Sequence, residues 1–383
     1  MSIKICFFSA QYLPTVGGVE RYTYNLSKKL IDKGAEITIV TSCLNSMPEY
    51  ENNNGIEIYR APCFSLLNGR FPVVKNNKKF KLLISKLRSK NFDVIIINTR
   101  FYTLSVEGAK FAKKNDIPCL LIEHGTSHLT VNNFLFDKLG EVFEHSITKK
   151  IKRYCNNFYG VSEACNEWLL HFGINANGVI YNAIDLEEIN KLLKISCDDY
   201  RKKYGIPSNS IIISFAGRLV KEKGIENLIK AVKKINENGE NLYLLAAGDG
   251  PLLNGLRKYE TNNIKLLGKL SYEQVISLFK VSDIFCLPSK SEGFPTSVLE
   301  AVACKNFIIT TYKGGAKELI SNEELGIIMN DNSIETIYES LRLAIRDDYY
   351  RKNAIELSYK ELCNNFTWDN VAEKLIRYLE SIK

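Results

Sequence analysis

Short runs of unbroken apolar residues alternate along this chain with longer stretches in which apolar positions recur every three or four residues. "IKICFFSA", "EITIVTS", "FDVIIIN" and "IPCLLIE" have the length and character of buried strands. "GVERYTYNLSKKLIDKG" carries the helical period, cations near its end and Gly34 to stop it. The same alternation returns after Tyr200, in "SIIISFAG", "GIENLIKAVKKINENG", "NLYLLAAG", "YEQVISLFKVS", "DIFCLPS", "FPTSVLEAVACK" and "NFIITT". Continuously apolar strands separated by amphipathic helices predict parallel sheets covered on both faces. Two such series predict an α/β protein of two doubly wound, Rossmann-like domains. The expected divisions are residues 1–183, 184–366 and a final amphipathic helix, 367–383, anchored by Trp368. The join falls near "VIYNAIDLEEINKLL", where the turn formers Asn182 and Asp185 precede a polar helix.

A chain of 383 residues is too long for one ordinary core, which agrees with that division. No run of eighteen apolar residues occurs, so no membrane-spanning helix is expected, and "MSIKICFFSA" turns polar too soon for a signal peptide. The ten cysteines show no C-x2-C spacing and several lie in apolar runs. They read as reduced, mostly buried thiols of a cytoplasmic protein, with no zinc site among them. The net charge of +8 is uneven, because residues 1–185 hold 23 Lys and Arg against 16 Asp and Glu. An anionic surface or partner is expected on that half.

In open α/β sheets ligands bind beyond the C-terminal strand ends, so the residues that follow each strand are the candidate site. "PTVGGVERY" follows the first strand, and Gly17 and Gly18 let backbone amides approach an anion ahead of a helix. His124 follows "IPCLLIE". "RLVKEKG" follows "IIISFAG", and there Arg218 and Lys223 offer a forked guanidinium and a point-charge ammonium, a pair suited to a diphosphate. Gly248-x-Gly250 begins a dinucleotide fingerprint, but Leu253 replaces its third glycine, which weakens a nicotinamide-cofactor reading.

"PSKSEGFPTSVLEAVAC" holds Glu292 and Glu300 with seven residues between them. Amides from Phe294 to Ser297 open a helix and suit a phosphate. Glu300, about one turn further on, can accept both hydroxyls of a ribose, and Glu292 can accept hydroxyls from a group beyond the phosphates. Phosphate in the middle with polyols on either side describes a nucleotide sugar.

"GGVER", "EHG", "VSE", "VIYNAID", "GRLVKEKG", "AAGDGPL", "SEGFPTSVLEA" and "KGGAKELI" occur in an order and spacing that resemble the retaining glycosyltransferases of the GT-B fold, family four, over nearly the whole chain. "FTWDNVAEKLIRYLE" looks like the helix that crosses back to the first domain in that fold. Ala183 stands where glycine is frequent in the family. The resemblance implies two Rossmann-like domains facing across a cleft, the first on the acceptor side and the second binding the nucleotide sugar. It implies that Arg218 and Lys223 hold the donor diphosphate and that Glu300 binds the ribose. Glu292 and the backbone around Phe294 would bind the transferred sugar, beside His124, while Gly17 and Gly18 touch the phosphates. The catalytic set so implied is His124, Glu292, Arg218 and Lys223. Gly248, Gly293, Phe294, Pro295 and Thr296 complete the donor-binding set.

The expected reaction moves a hexosyl group, with retention, from a UDP-sugar to a glycan or lipid-linked acceptor of cell-surface polysaccharide or glycolipid synthesis. Asp-x-Asp is absent, so neither a metal nor a cofactor is expected. A sugar-nucleotide epimerase, a glycoside phosphorylase of the same architecture and a non-catalytic sugar-nucleotide binding protein remain as alternatives. Leu66 to Lys90 carries eight cations and no acid, with apolar residues interleaved, and Ser146 to Tyr154 adds four more. A solvated helix face is one reading of such a stretch. The resemblance, whose members often extend glycans on lipid carriers, makes Lys75, Lys78, Lys79, Lys81 and Lys86 the expected contacts to an anionic membrane, and no nucleic-acid module is recognisable. The expected location is the cytoplasmic face of the cell membrane, held peripherally.

Overall fold

The computed structural model of the chain describes residues 2–15, 17–44, 47–67, 69–129, 133–195, 199–290, 294–312 and 315–381. The chain divides into two compact units, Met1–Asn182 with Trp368–Lys383, and Ala183–Thr367.

The first unit contains β1 (Lys4–Ser9), β2 (Glu36–Cys43), β3 (Tyr50–Asn53), β4 (Ile56–Leu66), β5 (Phe71–Val74), β6 (Val94–Asn98), β7 (Cys119–Glu123), β8 (Asn157–Gly160) and β9 (Gly178–Val179). Its helices are α1 (Gly18–Asp32), α2 (Lys78–Arg88), α3 (Thr103–Lys114), α4 (Phe134–Ile151) and α5 (Glu163–Leu170), with the C-terminal helix Trp368–Ser381 added. The strands lie in the order β3-β4-β2-β1-β6-β7-β8-β9, and β5 pairs with β4. Ile5 of β1 is opposite both Ile37 of β2 and Val94 of β6, all parallel. The order reverses between β1 and β6, which opens a crevice at their C-terminal ends. The antiparallel pairs β3–β4 and β4–β5 are confined to one side of the sheet. Phe8, Ile95, Ile97, Leu121 and Phe158 belong to a core that Phe80, Leu87 and Phe111 close from the helices.

Local chemistry sets the helix ends. Gly34, at a φ of +88°, lets the chain leave α1 in the left-handed region. Asn133 caps α4 by accepting from the Leu135 and Phe136 amides, and Ser162 caps α5 through the Cys165 amide. The C-terminal helix lies against α1, with the Trp368 ring edge-on to Tyr22 at 5.2 Å. Lys29 pairs with Asp369 at 3.1 Å and Lys33 with Glu373 at 2.9 Å.

In the second unit β10 (Ile211–Ala216), β11 (Leu242–Ala247), β12 (Ile264–Gly268), β13 (Ile284–Leu287), β14 (Phe307–Thr311) and β15 (Ile327–Met329) form one parallel sheet, ordered β12-β11-β10-β13-β14-β15. The order reverses between β10 and β13, where Ile213 faces Ile284. The chain enters and leaves this unit side by side, since the Ile184 amide donates to the Phe366 carbonyl at 3.1 Å. The described cysteines are free thiols, most of them buried.

Candidate functional site

Each unit presents its candidate residues where its strand order reverses. In the first unit the crevice between β1 and β6 holds a cavity of about 180 Å³. Ser9 and Gln11 after β1, Asn98 and Thr99 at the end of β6, His124 and Gly125 after β7, and Val19 of α1 line it. Gly17 is the extended residue before α1, and no side chain caps the helix there. A Cβ on Gly17 would collide with the Glu20 carboxylate, whereas nothing lies near a Cβ on Gly18. The α1 N-terminus is thus open at Gly18 and backed at Gly17 by a buried glutamate, whose pKa burial raises.

His124 is held by a directional chain. Asn98 donates from Nδ2 to Thr23 Oγ1 at 2.8 Å, and Thr23 donates to the Val19 carbonyl at 2.7 Å. Asn98 Oδ1 therefore faces His124 Nε2, 3.1 Å away, as an acceptor. This puts the imidazole proton on Nε2 and leaves Nδ1 to accept. Tyr22 meets the ring edge-on at 4.7 Å. Burial lowers the His124 pKa to about 3, so the ring is neutral at physiological pH. It can donate and accept hydrogen bonds there, and it is no cationic acid.

The loop that carries His124 hangs on residues the sequence reading did not single out. Glu123, fully buried, accepts from the His124 amide at 3.2 Å and the Gly125 amide at 3.0 Å through Oε1. Its other oxygen takes Arg100 Nη1 at 3.2 Å, and Arg100 Nη2 reaches Glu144 at 2.9 Å. Glu144 in turn accepts from the Leu129 amide at 2.9 Å. A buried cation between two carboxylates that also bind loop amides fixes that loop on both sides. Arg100, two residues past β6, and Glu144 inside α4 gave no pattern to read, because their partners are far apart in sequence.

In the second unit Arg218 is exposed and Lys223 partly buried, on the loop between β10 and the helix Ile225–Glu237. This loop is stitched to the one that follows β13. The Lys290 amide donates to the Glu222 carbonyl at 2.6 Å, and Ser289 Oγ donates to the same oxygen at 3.2 Å. Gly224, at a φ of +69°, passes so close to the Pro288 carbonyl that no side chain fits. Gly248 and Gly250 have the same function. A Cβ on either would overlap the backbone of residues 217–219, so these glycines let the loop after β11 support the one bearing Arg218.

The helix after β13 runs from Thr296 to Ala303 with the extended Pro295 at its N-cap and no side-chain cap, so Phe294 precedes it rather than opening it. Its first two amides, of Thr296 and Ser297, have no intrahelical acceptor, whereas the Val298 amide donates to the Pro295 carbonyl at 3.1 Å. Glu300 is buried within it, and Phe294 packs on Phe366 with ring centroids 5.4 Å apart. Glu292 and Gly293 lie outside the described residues.

The basic stretch is less uniformly available than its sequence predicts. Lys79 pairs with Glu49 at 2.6 Å and Lys90 with Glu57 at 2.6 Å. Lys86 lies over the Tyr50 and Tyr59 rings, and Lys75 over Phe64. The partners come from β3 and β4 and from the residues just before them, which the local sequence window does not contain. Among the described residues no ion pair involves Lys78 or Lys81, and no helix is long and apolar enough to cross a membrane.

Comparison with known proteins covers the same elements. The family model of glycosyltransferase family 4 matches residues 16–188, and that of glycosyl transferases group 1 matches residues 196–361. The chain is 29% identical to an uncharacterized glycosyltransferase of Methanocaldococcus jannaschii, over 99% of both chains. It is 24% identical to the GPI3 subunit of the Saccharomyces cerevisiae phosphatidylinositol N-acetylglucosaminyltransferase, over all of this chain and 84% of that one. Among solved structures, a Rickettsia africae glycosyltransferase superposes with a TM-score of 0.75 at 20% identity, covering 100% of this chain and 98% of its own. Anabaena HepE, solved in complex with UDP, gives 0.74 at 19% identity over the full length of both chains.

Proposed function

The chain belongs to the glycosyltransferases of group 1 and family 4, and from that premise we propose that it moves a hexosyl group, with retention, from a UDP-sugar to a glycan or lipid-linked acceptor. The observation that carries the donor reading is the stitched pair of loops after β10 and β13. It joins the segment of Arg218 and Lys223 to the one leading to the uncapped helix at Thr296. In this reading the bond from the anomeric carbon to the diphosphate oxygen breaks as the acceptor oxygen bonds to the same face. The acceptor proton passes to the departing phosphate. Arg218, Lys223 and the free helix amides hold the growing negative charge without a metal. Glu300 takes the ribose hydroxyls, and Glu292, Gly293 and Phe294 the transferred sugar. Gly17, Gly18 and neutral His124 act on the donor from the first unit through hydrogen bonds. Thermal-shift titration with nucleoside diphosphates tests the donor assignment. UDP is expected to raise the midpoint of the wild type and not of Lys223→Ala. A shift of equal size in both proteins removes Lys223 from the site.

The acceptor reading is a lipid-linked substrate met at an anionic membrane surface. Lys78 and Lys81 support it, and so does a feature the sequence reading passed over. On α4 the side chains of Leu135, Phe136, Leu139 and Val142 are 66%, 62%, 59% and 67% exposed. Beside them Leu67, Phe71, Phe101, Phe136, Leu139 and Phe143 line an apolar cavity of about 500 Å³. A second groove along α4 is bordered by Lys149, Lys150 and Arg153, with Lys110 opposite and paired to Glu107 at 2.6 Å. Apolar side chains next to unmatched cations complement acyl chains and anionic headgroups. Vesicle co-sedimentation tests this. Binding should grow with anionic lipid, fall with salt, and weaken in Phe136→Ser/Val142→Ser and in Lys149→Glu/Lys150→Glu. Equal partitioning onto neutral and anionic vesicles would sink the membrane reading and leave the donor reading intact.

A further inference from the structure

Three of the four histidines in the chain converge at one place in the first unit, apart from the residues assigned to the donor. His128 comes from the loop after β7, His145 from α4, and His171 from the residue that follows α5. One ligand-capable nitrogen of each lies within 4.8 Å of the other two. The ring centroids are 5.8 Å apart for His128 and His145, 5.2 Å for His128 and His171, and 4.9 Å for His145 and His171. Apolar packing does not account for the cluster, because His145 and His171 are exposed.

The surroundings are those of a cation site. Glu144 Oε2 lies 3.2 Å from His128 Nδ1, which leaves Nε2 of that ring available to a ligand. Glu141 is on the preceding turn of α4. Arg100 is already matched by Glu123 and Glu144, and Lys138 pairs with Glu141 at 2.9 Å. Trp168 stacks on His171 at 4.9 Å with the planes 6° apart, which restrains that imidazole.

We propose that His128, His145 and His171 bind one divalent transition-metal ion, and that Zn²⁺ is the ion this set suits best. Imidazole nitrogens favour Zn²⁺ over the hard cations, and three of them leave a fourth position for water. Zn–N bonds of about 2.0–2.1 Å in a tetrahedron need nitrogens roughly 3.4 Å apart, which small rotations of the exposed His145 and His171 side chains supply. The ion would tie the loop after β7, which also bears His124, to α4 and α5. It plays no part in the leaving-group chemistry proposed above, so either inference can fail alone.

The test is calorimetric titration of Zn²⁺ into metal-free, full-length protein, with Co²⁺ followed by its visible d–d absorption. The wild type should bind one equivalent, with a higher thermal midpoint. His145→Ala and His171→Ala should keep the metal-free midpoint, lose that rise, and weaken binding by more than about tenfold. Absence of binding to the wild type would overturn the proposal. So would variants that bind the first equivalent as the wild type does, or a thiolate-to-Co²⁺ charge-transfer band, which would put the ion on cysteine.

Discussion

His124 Nε2 and Asn98 Oδ1 lie 3.1 Å apart, and the contact places the ring proton on Nε2 while burial keeps the imidazole neutral. The pKa of about 3 has a consequence for stability. The unfolded chain binds this proton near pH 6.5 and the folded chain does not. The contribution is complete above pH 6.5 and is lost as the pH falls toward 3. Its slope is at most about 1.4 kcal/mol per pH unit. Comparing unfolding of the wild type and His124→Gln at pH 7 and pH 5 checks this. The wild type should lose more stability on acidification. In the same window its His124 ring signals should not titrate.

Gly17→Ala should destabilise the first unit by about 1 kcal/mol, because the new Cβ displaces the end of the Glu20 side chain and no backbone. Removing the obstacle in Gly17→Ala/Glu20→Ala should restore most of the loss. Gly18→Ala, with open space around it, should leave the midpoint nearly unchanged. Thermal melts of the four proteins decide. A double variant no better than Gly17→Ala would mean that the clash is not the cause.

Gly248→Ala should cost more than about 2 kcal/mol and should weaken UDP binding as well. Gly248 has a φ of +145° and its Cβ would overlap the Gly217 carbonyl, so the loop of Arg218 must move to admit it. Melts and UDP titration measure the two effects. Full UDP affinity in a destabilised variant would separate the glycine from the donor site.

Turnover should survive EDTA to within about twofold, since Arg218 and Lys223 are assigned the charge that a metal would otherwise take. Activity lost to chelation and restored by Mg²⁺ or Mn²⁺ would contradict that assignment. A fall in thermal midpoint alone, reversed by Zn²⁺, would instead report the histidine triad.

The alternation of strands and helices was readable because a parallel sheet covered on both faces needs unbroken apolar strands, as in "VIIIN" and "CLLIE", joined by amphipathic crossovers. The same rule located His124, Arg218 and Lys223, since residues after such strands end up where the order reverses. The buried Arg100–Glu123–Glu144 network and the histidine cluster were not readable. Each joins a loop to helices far away in sequence, and no periodicity or spacing records such a meeting. The pairing of Lys79 with Glu49, just before β3, and of Lys90, beyond α2, with Glu57 of β4 was unreadable for a related reason, since both acids lie outside the local sequence window. Gly248 and Gly250 resembled a phosphate loop, but the feature that needs them glycine is close backbone packing.

Donor-dependent release of UDP tests the central claim most directly. Purified wild type, Lys223→Ala and Glu300→Ala would be screened against UDP-sugars with a membrane extract as the acceptor source. The wild type should release UDP only when acceptor is present and give a product that keeps the donor's anomeric configuration. Each variant should keep its thermal midpoint and lose at least about thirtyfold in rate, as removal of a charge-stabilising contact worth about 2–4 kcal/mol requires. Variants that turn over like the wild type, or a wild type that releases no UDP from any sugar tested, would contradict the account.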